Sequence, residues 1–132
     1  MPRPATQRPA ATPERDLSGP ALRAFFRIAE AWKLGARQQR ILLGSPPEST
    51  FFKWKKEQQG NLPRDVLERI SYVLGIYKSL QILFPDPARA DAWISRPNSA
   101  PLFQGQSALQ RMLSGNVGDL FVVRQYLDAQ RG

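Results

Sequence analysis

Apolar residues recur at helical spacing along most of the chain, and Gly, Pro and Asn stand between the recurrent segments. The last segment shows the pattern most fully. Taken at about 100° per residue, Leu120, Val123 and Leu127 with Val117 form one apolar stripe, and Val122, Tyr126 and Ala129 form a second on the other side. A terminal helix needs one stripe to dock on its own domain, so two imply either burial on both sides or a partner.

Upstream, Leu22, Phe25, Phe26, Ala29 and Trp32 predict a helix from about Pro20, capped by Ser18 or Gly19 and ended by Gly35. A short helix follows from Ala36 to Leu43, closed by Gly44. Pro46 and Pro47 interrupt, because each biases its predecessor away from the α region. A third helix is expected from about Pro47 to Gln58. A fourth reads from Pro63 to Gly75, with Asp65 at its positive end, and a fifth from Ile76 to Phe84. Ala88 to Ser95 follows, anchored by Trp93, then a helix from Ser107 to Ser114 and a last one capped by Asn116. Asn98 is read as a turn residue, with partner contact as the other reading. No alternating run of strand chemistry appears, so the fold class is all-α.

Residues 1–18 hold four Pro and little that is large and aliphatic, which predicts a disordered arm. Its Arg residues either touch DNA or belong to an untethered terminus.

Composition removes whole classes of function. There is no Cys and no His, so thiolate and imidazole chemistry are absent, and no nucleophile–base pair or phosphate loop stands out. An enzyme is not expected, and neither are catalytic residues, a metal site or a cofactor. No apolar run approaches the roughly 18–20 residues of a membrane span, and the N-terminus has no signal-peptide core. A soluble, cytoplasmic protein without membrane attachment is expected.

The formal net charge is +8, and its distribution says more than its total. Residues 19–60 carry eight Lys/Arg against Glu30, Glu48 and Glu57, a net +5, while residues 61–132 carry eight against six. The basic segment also contains two short helices joined by a Gly/Pro turn, the layout of a helix-turn-helix. In the third helix Phe51 and Trp54 share an inward face, while Ser49, Phe52, Lys53 and Lys56 project outward. Lysines there neutralise phosphates, and Ser49, Thr50 or Lys53 reach base edges. Arg37 and Arg40 of the preceding helix complete the expected DNA-binding set. The other reading is a solvated basic face on an ordinary bundle.

An ordered series of residues then resembles a known family. It comprises Trp32-Lys33-Leu34, Leu42-Leu43-Gly44, Thr50-Phe51-Phe52-Lys53-Trp54-Lys55, Asp65, Glu68-Arg69-Ile70-Ser71 and Gly75-Ile76-Tyr77-Lys78-Ser79-Leu80. It continues through Trp93, Pro97-Asn98, Phe103, Gly105-Gln106-Ser107, Leu109, Met112 and Gly115 to Val123-Arg124-Gln125-Tyr126-Leu127-Asp128. Together they look like the Xre/MbcA/ParS-type antitoxins. Ala108 and Gly35 depart from the family pattern, both at helix starts.

The resemblance implies an Xre-like helix-turn-helix over residues 19–75 and a toxin-binding domain over residues 76–132. It also implies a partner toxin of the RES-domain type, an enzyme that attacks NAD, and repression of the operon by the complex. NAD is then the partner's substrate and not a ligand of this chain. Under this resemblance Val122, Tyr126 and Ala129 are expected to anchor the toxin, and Arg124 and Arg131 to pair with groups of its pocket. The terminal carboxylate of Gly132 would stand in for a phosphate. A homodimer within a larger toxin–antitoxin complex is expected. The alternative is a stand-alone dimeric repressor whose C-terminal half serves only for dimerisation.

Overall fold

A computed structural model describes residues 13–132; of the disordered arm expected over residues 1–18, residues 1–12 lie outside the described residues and residues 13–18 are helical instead. Among the described residues seven helices follow in order: α1 Pro13–Ala31, α2 Ala36–Leu42, α3 Glu48–Glu57, α4 Arg64–Leu83, α5 Pro87–Trp93, α6 Ala108–Met112 and α7 Val117–Gln130. The all-α expectation holds: among the described residues the only extended pairing is an isolated antiparallel bridge between Pro97 and Ser107.

Two element boundaries differ from those read in the sequence. The first helix begins at Pro13 rather than near Pro20, so Pro20 lies inside it. The cause is tertiary. Ser18, expected as a cap, is fully buried, and its Oγ accepts the backbone N–H of Leu62 at 3.2 Å. That contact, 44 residues away in sequence, holds the helical turn around Ser18 against the α3–α4 connection.

The second difference is that α4 runs through Gly75 without a break. Glycine in a helix interior costs about 1 kcal/mol relative to Ala. Burial of Val66, Ile70, Val73, Ile76 and Leu80 along one face of α4 outweighs that cost, since each large aliphatic side chain contributes roughly 1.5–3 kcal/mol when fully buried. The helix joins the N-terminal and C-terminal halves as one rod, against which α1, α5 and α7 pack. One apolar core results, from Leu22, Phe25 and Phe51 at one end through Ile70 and Ile76 to Ile94, Met112, Leu120 and Leu127 at the other.

The connector between α5 and α6 is closed by its own backbone. Asn98 N–H donates to Gln106 O and Gly105 N–H to Asn98 O, each at 3.0 Å, while Asn98 Oδ1 accepts the N–H of Ala100 at 2.9 Å. Asn98 is thus a turn residue, as its neighbour Pro97 suggested. Ser107 caps α6 with a reciprocal bond from Gln110, a capping box. Asn116 makes no side-chain cap on α7; Asp119 reaches back instead to Ser114 Oγ and Arg111 Nε.

Candidate nucleic-acid and partner interfaces

The α2–α3 unit is positioned from within. Phe51 is 1% and Trp54 9% exposed, and Phe51 meets the Phe26 ring of α1 edge-on at 6.1 Å. Fixing that face inward turns Ser49, Phe52, Lys53 and Lys56 outward, all exposed, with Thr50 half-buried at the edge. Phe52 keeps 48% of its surface in solvent although it touches Phe51 edge-on at 5.1 Å. Arg37 is exposed on α2, and Arg37, Arg40, Phe51 and Phe52 line one shallow depression. The seven residues predicted for DNA contact therefore all lie on the α2–α3 unit; Arg37, Arg40 and Phe52 share the depression, and Ser49, Lys53 and Lys56 are exposed on the outward face of α3.

Two arginines brace the connecting turn. Arg40 Nε donates to Pro46 O at 2.6 Å, and Arg69 of α4, paired with Asp65 at 3.3 Å, lies across Gly44. Gly44 has φ +93°, a conformation that favours glycine, and a Cβ there would stand 3.0 Å from Arg69 Nε. Arg69 was not legible as a turn brace, because Asp65 at i−4 reads as its ordinary helical partner.

On α7, Leu120, Val123 and Leu127 are buried, as their stripe predicted. Val122 and Tyr126 are half-buried and Ala129 exposed. Tyr126 stands edge-on to Phe103 at 5.2 Å, and Phe103 edge-on to Trp93 at 5.9 Å. The connector thus supports the second stripe from one side and leaves the other open.

Arg124 and Arg131 do not join that stripe. Arg124 packs over Gly75, donates to Ser71 O at 3.4 Å and faces Asp128 at 3.6 Å. Arg131 donates to Ser79 Oγ at 3.4 Å and lies 3.9 Å from Asp128. Ser79, fully buried in α4, donates in turn to Asp128 Oδ1 at 3.0 Å. The six residues predicted for toxin contact therefore divide: Val122, Tyr126 and Ala129 on one side of α7, Arg124 and Arg131 on the opposite side against α4, and Gly132 exposed at the end. Asp128 and Ser79, the polar hinge of the α4–α7 contact, were missed; the signal was a Ser within the apolar face of α4.

Two ionisable groups are shifted by these contacts. The hydrogen bond from Ser114 and the adjacent Arg111 hold the Asp119 carboxyl below the usual range, against a smaller opposing effect of burial. The hydrogen bond from Tyr72 to Glu68 raises the phenol. Among the described residues no group of three or more His, Cys, Asp or Glu is arranged to hold a metal ion, and no helix is long and apolar enough to cross a membrane.

Comparison with known proteins divides the chain near the middle of α4. Residues 13–75 match the antitoxin Xre-like helix-turn-helix domain. Residues 79–132 match the antitoxin Xre/MbcA/ParS C-terminal toxin-binding domain. The uncharacterized protein y4oB of Sinorhizobium fredii (strain NBRC 101917 / NGR234) is 60% identical over 111 residues, 84% of each chain. No solved structure matches.

Proposed function

The chain belongs to the Xre/MbcA/ParS-type antitoxins, and from that premise we propose that it inhibits a RES-domain, NAD-degrading toxin and, with it, represses its own operon. The antitoxin carries a helix-turn-helix domain and a toxin-binding domain. The observation that carries the finer reading is the terminal helix: one face of α7 is buried in its own core, and Val122, Tyr126 and Ala129 present a second, incompletely covered face. An aromatic anchor on a rigid helix is the usual chemistry of an interface hot spot. Arg124 and Arg131 act in this reading by holding α7 on α4, and the end of α7 enters the toxin's active-site cleft.

At the other end of the molecule, the outward face of α3 supplies Lys53 and Lys56 for phosphates and Ser49 and Thr50 for base edges. The absence of a mid-helix Arg, Asn or Gln on that face favours modest sequence discrimination. A homodimer would set two such helices about one turn of DNA apart. The reading places the protein in the cytoplasm with its toxin and operator.

The deciding experiment is co-expression of the tagged chain with a RES-type enzyme encoded beside it, followed by pull-down and an assay of NAD loss. A stable complex that is silent with wild type and consumes NAD with Ala129→Arg establishes inhibition through α7. Absence of a complex, with NAD untouched, returns the protein to a stand-alone repressor.

A further inference from the structure

Eight cationic side chains fall between residues 19 and 60, and the DNA-facing set described above uses four of them: Arg37, Arg40, Lys53 and Lys56. The other four gather elsewhere. Arg23, Arg27, Lys33 and Lys55 line a separate groove of about 630 Å³ between α1 and the C-terminal end of α3. This groove shares no lining residue with the depression beside Arg37 and Arg40.

The groove has a fixed floor. Gln39 is 6% exposed and its Nε2 donates to Leu34 O at 2.8 Å, beside the buried Phe26 and Leu34. Lys33 reaches the groove because the chain leaves α1 through a left-handed residue: its φ is +58°, and its N–H closes on Glu30 O at 3.0 Å. A positive φ at a residue other than Gly is uncommon. Among the described residues none of the four cations is in an ion pair, and Glu30 is the only carboxylate lining the groove. Like charges collected against one carboxylate raise the local potential and favour an anionic ligand.

We propose that this groove holds backbone phosphates of the DNA that α3 engages, extending the footprint beyond the α2–α3 face. The proposal rests on the reading of α3 as the DNA-facing helix. Lining residues come from α2, as Gln39, and from the last turn and end of α3, as Lys55 and Gln58, while α7 contributes none. The groove thus adjoins the α2–α3 unit at the end of α3, whereas the α7 face that carries Tyr126 has no part in it. Phosphate contacts of this kind add affinity and register without sequence information.

The test compares full-length wild type, Arg27→Gln with Lys55→Gln, and Lys53→Ala with Lys56→Ala. The probes are the duplex upstream of the chain's own reading frame and a scrambled duplex of equal length, with affinity measured across a salt series. Each lost phosphate contact flattens the log–log salt slope by about 0.9, so the groove variant should lose about 1.8 on both duplexes alike. Its circular dichroism should match wild type; if that pair unfolds, Lys55→Gln alone, on an exposed site, should give about half the change. An unchanged slope for the groove variant, with a flatter slope for Lys53→Ala with Lys56→Ala, overturns the groove and leaves α3 on DNA. Unchanged slopes for both variants overturn the α3 reading together with the groove. A groove variant that keeps its salt slope but loses the co-expressed toxin overturns the proposal in favour of an acidic protein surface.

Discussion

Arg124 lies across the face of Gly75, where a Cβ would stand 2.5 Å from its Nε and 2.7 Å from its Cζ. Gly75 is the last residue of the helix-turn-helix match and Arg124 lies within the toxin-binding match. The absence of a side chain at 75 lets the guanidinium reach Ser71 O and Asp128, adding one contact between the two matched segments to the apolar packing of α7 on α4.

That relationship predicts a reversal of sign. Gly75→Ala should gain helix propensity of about 1 kcal/mol, but in wild type it displaces Arg124, and the gain should vanish or turn to a loss. In an Arg124→Ala background the same substitution should stabilise by about 1 kcal/mol. Thermal unfolding of the four proteins in the cycle checks it; equal effects in both backgrounds would remove Arg124 as the reason for the glycine.

The outward face of α3 makes its own prediction. Lys53→Ala with Lys56→Ala should weaken binding about uniformly across duplex sequences and flatten the salt slope by about 1.8. Toxin inhibition should be unchanged, because neither lysine touches α7. Titrations at several salt concentrations, with NAD assays on the same preparations, give both readouts.

Helix existence was legible in the sequence because the apolar spacing of α1, α3, α4 and α7 matches their buried faces. Phe51 and Trp54 inward with Lys53 and Lys56 outward followed from angle alone. Where the reading failed, a distant partner decided the local outcome. Gly75 reads as a helix end in sequence and is a contact residue in space, and Ser18 reads as a cap but is buried beneath Leu62. Arg124 and Arg131 were grouped with Tyr126 as residues of one short segment. Helical angle separates them, and the contacts with Ser71 and Ser79 set both arginines against α4, while Asp128 of α7 itself pairs with each. The groove of Arg23, Arg27, Lys33 and Lys55 joins residues from three regions and has no single sequence signature.

Asp119 should govern part of the acid stability. Its carboxyl is lowered chiefly by Ser114 and then by Arg111, so the charged form is favoured by folding. The contribution is present above the unfolded pKa, about 3.9 for an Asp, and is lost as pH falls through the depressed folded value. Asp119→Asn should therefore be less stable than wild type near neutrality, with the difference shrinking as the pH is lowered through the acid range. Denaturant titrations from neutrality into that range measure it; a constant gap would show that the carboxylate charge is not what Ser114 and Arg111 hold.

Tyr126 and Ala129 separate inhibition from folding. Tyr126 is half-buried and loses an edge-on contact with Phe103 when truncated, so Tyr126→Ala carries a fold cost as well as an interface cost. Tyr126→Phe keeps the ring contact and removes only the hydroxyl. Ala129 is exposed on the same side of α7, so Ala129→Arg leaves the core as it is and places a long cation where the toxin is proposed to sit. If the stripe is the interface, Tyr126→Ala should weaken toxin binding about 30-fold, a hot-spot loss of about 2 kcal/mol. Tyr126→Phe should lose much less, and Ala129→Arg should release NAD consumption while melting like wild type. Calorimetric binding to the purified toxin, beside melting curves of each variant, distinguishes these outcomes. Full inhibition by Ala129→Arg would move the interface off this face of α7.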